Sequence, residues 1–268
     1  MRKFLFIFVI LFCFGGVAFS QTDDDIDDDF SPLDAYYLGR AVAANILTKY
    51  KLYNNADAIK YVNNICQTLV INSNYPPPYN GYFVMILDSK EFNAFATPGG
   101  HIFVTRKLAE SAASEDMLAA VIAHELAHIM LRHGISIINS VKLENELSSI
   151  ADWAASTAAK QSAEAARATA FRDSISKTVD ILLRSGYSQT QEFEADLEAV
   201  VLLAGAGYDP GALLEMLKVL QKSRGFQNTG IYSTHPSPEQ RIANVEGLKF
   251  RKNDTLRYRL QRFRSMKF

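Results

Sequence analysis

His124-Glu125-Leu126-Ala127-His128 restricts this chain more than any other feature, because an H-E-x-x-H run asks for a helix and a metal together. Four residues is just over one helical turn, so both imidazoles leave the same face and can share one zinc ion. Glu125 projects beside them, where its carboxylate can take a proton from water. Met117, Leu118, Val121, Ile122, Leu126, Ile129 and Met130 make the helix apolar nearly all round, so it is expected to be buried. Two histidines and a glutamate inside a buried helix need partners, since unpaired buried polar groups are costly. A surface helix carrying two chance histidines would not have these flanks.

At 268 residues, 48% of them hydrophobic, the chain has enough core for one large domain or two small ones. A formal net charge of -1 gives no bulk attraction to nucleic acid, and no nucleic-acid partner is expected. Charge is concentrated at the ends instead. Asp23, Asp24, Asp25, Asp27, Asp28 and Asp29 mark residues 21–32 as an acidic flexible segment, with Asp34 just beyond it. The tail at 251–268 carries seven Lys or Arg against Asp254 alone. It reads as a solvated terminus, or as a peripheral contact for anionic lipid head groups or an acidic envelope protein.

Residues 1–20 read as a secretory signal: Arg2 and Lys3, an apolar run from Phe4 to Phe14, and small residues at Ala18-Phe19-Ser20 for cleavage after Ser20. The run is short for a bilayer span, though an uncleaved anchor is the alternative. Cleavage would leave Cys66 as the only cysteine, so no intramolecular disulfide is expected. The expected location is the periplasm or cell envelope.

Apolar spacing predicts two helices over residues 33–71, from Leu38, Val42, Ile46 and Leu47, then Ile59, Val62, Ile65 and Leu69. Pro76-Pro77-Pro78 and Asn80-Gly81 form a loop, Tyr82–Leu87 and Asn93–Phe95 read as strands, and Pro98-Gly99-Gly100 turns into a strand at His101–Thr105. The metal helix follows from about Glu115 to Arg132. Residues 135–183 are Ala-rich, charged and helical in pattern, suiting either a hairpin over the site or an ordinary packing layer. Helices are expected over Gln189–Ala204 and 211–223, and after Pro236. The fold class is mainly α with a small β-sheet, one domain over residues 33–250.

A catalytic zinc site needs a third protein ligand, with a fourth position kept for water. His133 lies five residues past His128, off the shared face, and reads as a polar residue closing the helix; His101 reads as a surface residue. Glu192-Phe193-Glu194-Ala195-Asp196 is the better source. With Phe193, Leu197, Val200 and Ala204 taken as the buried face, Asp196 falls at its margin and Glu192 stacks one turn earlier. Glu192 is therefore the expected third ligand, with Asp196 accepting a hydrogen bond from a ligand imidazole. Glu194 and Glu198 turn toward solvent.

Asn93-Ala94-Phe95-Ala96, Pro98-Gly99-Gly100, the H-E-x-x-H helix, Glu192-x-x-x-Asp196, His235-Pro236 and Arg241-Ile242 occur here in one order. In that order they resemble the gluzincin metalloendopeptidases that include HtpX, the CAAX prenyl endopeptidases and the soluble BepA-type envelope proteases. The resemblance implies zinc bound by His124, His128 and Glu192, Glu125 as base, and Asp196 behind the ligands. It also implies a mostly helical fold whose small sheet offers an edge strand over the cleft. Two departures limit it. No transmembrane helix is expected beyond the signal, unlike in the membrane members, and the C-terminal helical repeats of BepA-type proteins are not expected after Phe268.

The expected activity is a zinc endopeptidase acting on unfolded or misassembled proteins, with substrate added along the His101–Thr105 strand. His235, placed near the centre by the resemblance, either supports the oxyanion, plugs the open zinc position, or is a turn residue. Arg241 either pairs with an acidic group near the site or stands in solvent. Two rivals are a non-proteolytic envelope chaperone with structural zinc and a metallohydrolase for cell-wall material.

Overall fold

The computed structural model describes residues 31–140, 176, 179–180, 186–223, 235, 237–248 and 257–268. The expected signal, residues 21–30 of the acidic segment and most of the 135–183 region lie outside the described residues.

Two helices precede the sheet, α1 (Pro32–Lys49) and α2 (Ala56–Ile71). Asn55 starts α2, its side chain accepting from the Ala58 N–H at 3.1 Å. β1 (Phe83–Leu87), β2 (Ala94–Ala96) and β3 (His101–Thr105) form one sheet in the order β1-β3-β2. β1 runs parallel to β3 with Val84 opposite Ile102, and β2 runs antiparallel with Phe95 opposite Phe103. This corrects the expectation that His101–Thr105 offers a free edge, because β3 is central and both its sides are paired.

The remaining edges differ. On the outer side of β1, Asn63 donates to the Val84 carbonyl at 2.8 Å and accepts from its N–H at 3.0 Å, and Leu52 bridges Leu87. On β2, the Thr97 N–H donates to His101 and the Thr105 N–H to Asn93, both at 2.9 Å. By antiparallel alternation the backbone groups of Ala94 and Ala96 face away from β3. β2 is the edge with no strand on its outer side among the described residues, and all three of its residues are buried.

Alternation along β3 divides the core. Ile102 and Val104 face α2 and the helices beyond it, while Phe103 packs with Leu38, Val42 and Ile46 of α1. Helix α1 presses onto the Pro98–Gly100 turn, where a Cβ on Gly39 would lie 1.4 Å from the Pro98 carbonyl oxygen. Gly39→Ala is expected to lower stability by about 2 kcal/mol or more, read as a lower urea midpoint at unchanged slope.

After the short α3 (Arg106–Ser111), which sequence spacing does not predict, come α4 (Glu115–Met130) and α5 (His133–Ser140). Then follow α6 (Gln189–Gly205), α7 (Ala212–Lys222) and α8 (Pro238–Glu246). Every residue of α4 except Ile129 is buried, as its all-round apolar surface predicts. Cys66 of α2 is a buried free cysteine, and burial pushes its thiol up to about 12. Among the described residues no helix is long and apolar enough to cross a membrane.

Residues 257–268 correct the expectation of a solvated tail. They form α9 (Arg257–Ser265) and a short end, with Phe263, Met266 and Phe268 packed against the main core. Arg262 Nε donates to Glu115 Oε2 at 2.8 Å, and its Nη2 reaches Oε1. The hydroxyls of Tyr61 and Tyr208 donate to the same carboxylate at 2.6 and 3.1 Å. Arg259 is itself buried, 3.4 Å from Asp116. Glu115 and Asp116 open α4, where the helix N-terminus favours negative charge, but as fully buried carboxylates they also need cations.

Candidate metal centre

Helices α4 and α6 carry most of the site. Ser114 starts α4 by accepting from the Met117 N–H at 3.2 Å, and Ser188 starts α6 in a capping box with Gln191. His124 and His128, one turn apart on α4, bring their Nε2 atoms within 3.1 Å. Opposite them on α6, Glu192 places Oε1 3.3 Å from His128 Nε2 and Oε2 3.4 Å from His124 Nε2. His235, ahead of α8, puts Nδ1 2.6 Å from Glu192 Oε1. One donor atom from each of these four buried residues lies within 4.8 Å of the others.

Two further groups stand behind the donors. Asp196 Oδ1 is 3.1 Å from His124 Nδ1. Arg241 of α8 donates to Asp196 through Nε at 2.9 Å and Nη2 at 2.5 Å, and its Nη1 lies 3.5 Å from Glu192 Oε2. Of the two expectations for Arg241, the ion pair holds: the residue is 4% exposed. Burial alone would raise the Asp196 carboxyl, but Arg241 outweighs it and holds the group at about 2. Burial also raises the carboxyl of Glu125, against the opposing charges of His235 and His124.

The donor set fits a divalent cation. Two buried carboxyl groups held ionised, Glu192 and Asp196, face one guanidinium, leaving at least one negative charge to be neutralised. Oε2 of Glu192 and Oε2 of Glu125 are both buried with no hydrogen-bond partner among the described residues. Two imidazole Nε2 atoms at 3.1 Å repel unless a cation or proton sits between them. Histidine nitrogen with one carboxylate oxygen is the donor chemistry of zinc.

The structure rotates the expected buried face of α6. Leu197 is 41% exposed and Ala204 is exposed, while Glu192, Ala195, Asp196, Ala199 and Leu203 point inward. The two acidic residues thus sit at the centre of the buried face, opposite His124, His128 and Arg241. His133 also differs from expectation. It opens α5 rather than closing α4, is 4% exposed, and sets Nδ1 2.9 Å from His128 Nδ1. Tyr187 had no sequence signal beyond being an aromatic next to a helix cap. Its ring stacks on His128 with centroids 3.8 Å apart and planes 13° off parallel. A cleft of about 160 Å³ opens beside them, lined by Tyr75, Pro77, Pro98, His128, Gly134 and Tyr187.

Comparison with known families decides the lineage: the model of "Peptidase family M48" matches residues 57–249, well over half the chain. The chain belongs to peptidase family M48. The zinc-metallopeptidase character of M48 agrees with the donor set, and the mainly α architecture with its three-stranded sheet is an M48 fold. Among similar M48 proteins is the beta-barrel assembly-enhancing protease of Escherichia coli, 28% identical over 196 residues, 72% of this chain and 39% of that protein. A putative protein of the same description from Vibrio cholerae is 30% identical, over 69% of this chain and 38% of its own length. The mitochondrial metalloendopeptidase OMA1 of Schizosaccharomyces pombe is 31% identical over 58% of this chain and 42% of that protein. The matched part therefore spans about two-fifths of these relatives.

Proposed function

We propose that this protein is a zinc-dependent endopeptidase of the bacterial cell envelope that cuts unfolded or misassembled proteins. One observation carries the reading: four buried donors from α4, α6 and position 235 converge beside a buried glutamate with an oxygen that has no partner among the described residues. His124, His128 and Glu192 are the proposed ligands and Glu125 the base. Zinc, when bound, polarises the peptide carbonyl and acidifies the attacking water. Glu125 removes the proton from that water and delivers it to the leaving nitrogen. Asp196 accepts from His124 Nδ1–H, which leaves Nε2 free for the metal, and Arg241 keeps Asp196 ionised. The envelope location rests on the signal-like residues 1–20 and on relatives named for β-barrel assembly.

An extended substrate is proposed to pair with the outward backbone of Ala94 and Ala96 on β2, which requires that this buried edge be uncovered first. Its apolar side chains would enter the cleft walled by Tyr75, Pro77 and Tyr187. Backbone pairing reads conformation more than sequence. A denatured substrate is therefore expected to be cut at least tenfold faster than its native form. Equal rates would reject the edge-strand mode. Treatment with 1,10-phenanthroline should abolish cleavage and added zinc restore it, and cleavage indifferent to chelation would reject the metalloprotease reading.

His235 supports the plug reading over oxyanion support, because it already lies among the donors and touches Glu192. With His235 as a fourth donor beside His124, His128 and Glu192, a bound zinc would have no place left for water. His235→Ala is expected to raise turnover of an unfolded peptide several-fold. Lost turnover with zinc retained would assign oxyanion support instead.

A further inference from the structure

His128 turns Nε2 toward the donor cluster and Nδ1 the other way, toward α5. There His133 Nδ1 lies 2.9 Å off, and His133 Nε2 lies 3.2 Å from Glu194 Oε2. His133 is buried, whereas the Glu194 side chain is 55% exposed. We propose that His133 and Glu194 form a positioning chain that fixes the tautomer and ring angle of His128 and so sets how firmly the site retains its metal. The inference rests on the reading of His128 as a zinc ligand.

Proton placement gives the chain one direction. His128 can offer the Nε2 lone pair only with its proton on Nδ1, and that proton points at His133 Nδ1. His133 must then accept there, carry its own proton on Nε2, and donate it to the Glu194 carboxylate. Each of the two short gaps then holds one proton. The reverse direction would put a proton on His128 Nε2, among His124 and Glu192, and would set a His133 lone pair against the carboxylate.

The backbone independently marks this place. Arg132 has φ 57°, the only positive value on a non-glycine residue among those described. That left-handed conformation disfavours a residue with a Cβ. It turns the chain between α4 and α5 and folds the His133 ring back onto His128, with centroids 5.0 Å apart. A strained turn that delivers one side chain to a ligand points to use of that side chain. Tyr187 stacks on the face of His128, so the ring is held on a face and at an edge. His124, by contrast, is backed directly by Asp196, a buried carboxylate locked to Arg241. His128 is the ligand held through a second imidazole.

Zinc affinity and release rate, measured by chelator competition, test the chain in full-length parent, His133→Phe, His133→Gln and Glu194→Ala proteins. Removing an outer partner of a ligand histidine typically weakens metal binding about 10- to 100-fold, which is the loss expected for His133→Phe. His133→Gln, whose carbonyl can accept from His128 Nδ1–H, should recover most of it. Glu194→Ala should lose less than about tenfold, its carboxylate being half in solvent. Parental affinity and release rate in His133→Phe would overturn the chain while leaving the zinc reading intact. A parent that holds no zinc would overturn both. Long-range nitrogen–proton correlation spectra of the zinc-bound parent, labelled at histidine, need no substitution. They should show His133 protonated on Nε2 alone, and a proton on Nδ1 would sink the inference even if every variant failed to fold.

Discussion

Glu125→Gln should lower kcat/KM on an unfolded protein substrate by about a thousandfold or more, with zinc content and melting temperature held. General-base catalysis is worth roughly 10²- to 10⁴-fold, and Gln keeps the volume and one acceptor oxygen while being unable to take a proton. A thousandfold loss corresponds to about 4 kcal/mol of transition-state stabilisation. The substitution should not unfold the protein, because Glu125 is fully buried and burial raises its carboxyl, so the charged form already carries a desolvation cost. Zinc content should hold because Glu125 is not among the residues that could hold the metal, His124, His128, Glu192 and His235. The measurement is turnover of a quenched unfolded substrate beside metal analysis of the same samples. Equal turnover with full zinc would favour the chaperone with a structural metal.

Much of this centre is legible in the sequence. The period of an α-helix puts His124 and His128 on one face whatever the rest of the chain does. The apolar surroundings then required that the helix be buried, and only Ile129 departs. Apolar spacing points to Glu192 for a partly wrong reason. That spacing makes Phe193 and Leu197 the inner face of α6, yet Leu197 is 41% exposed and Glu192 and Asp196 point inward. Hydrophobic periodicity assumes that apolar residues win the interior. Where a buried site supplies cations, acidic residues win it instead.

His133 shows what spacing cannot reach. Five residues past His128 on a continuous helix would carry its ring away from the shared face. The left-handed Arg132 breaks that continuity, and arginine gives no sequence hint of such a turn. The edge strand failed for a different reason. Strand pattern located β1, β2 and β3 to within a residue, but which one lies at the middle is a matter of pairing between distant segments. Charge patterning likewise misjudged the basic end, since cations that look surplus in sequence meet buried anions in the fold.

Ending the chain after Leu256 should cost about 3–5 kcal/mol of stability, a large part of the 5–15 kcal/mol typical of a folded domain. The deletion takes away Arg259 and Arg262 and so leaves Asp116 and Glu115 buried without their cations. It also uncovers the core surface now packed by Phe263, Met266 and Phe268. Arg262→Ala alone should cost less, about 1–2 kcal/mol. Its guanidinium is half in solvent, and Glu115 would keep the hydroxyls of Tyr61 and Tyr208 as donors. A freely solvated basic tail predicts the opposite, a change within about 0.5 kcal/mol on deletion. Urea unfolding of the full chain, the shortened chain and Arg262→Ala separates the two accounts. Because Glu115 and Asp116 open the helix that carries His124 and His128, loss of α9 should also loosen zinc. Zinc added at saturation should then recover part of the lost midpoint by binding the folded form alone.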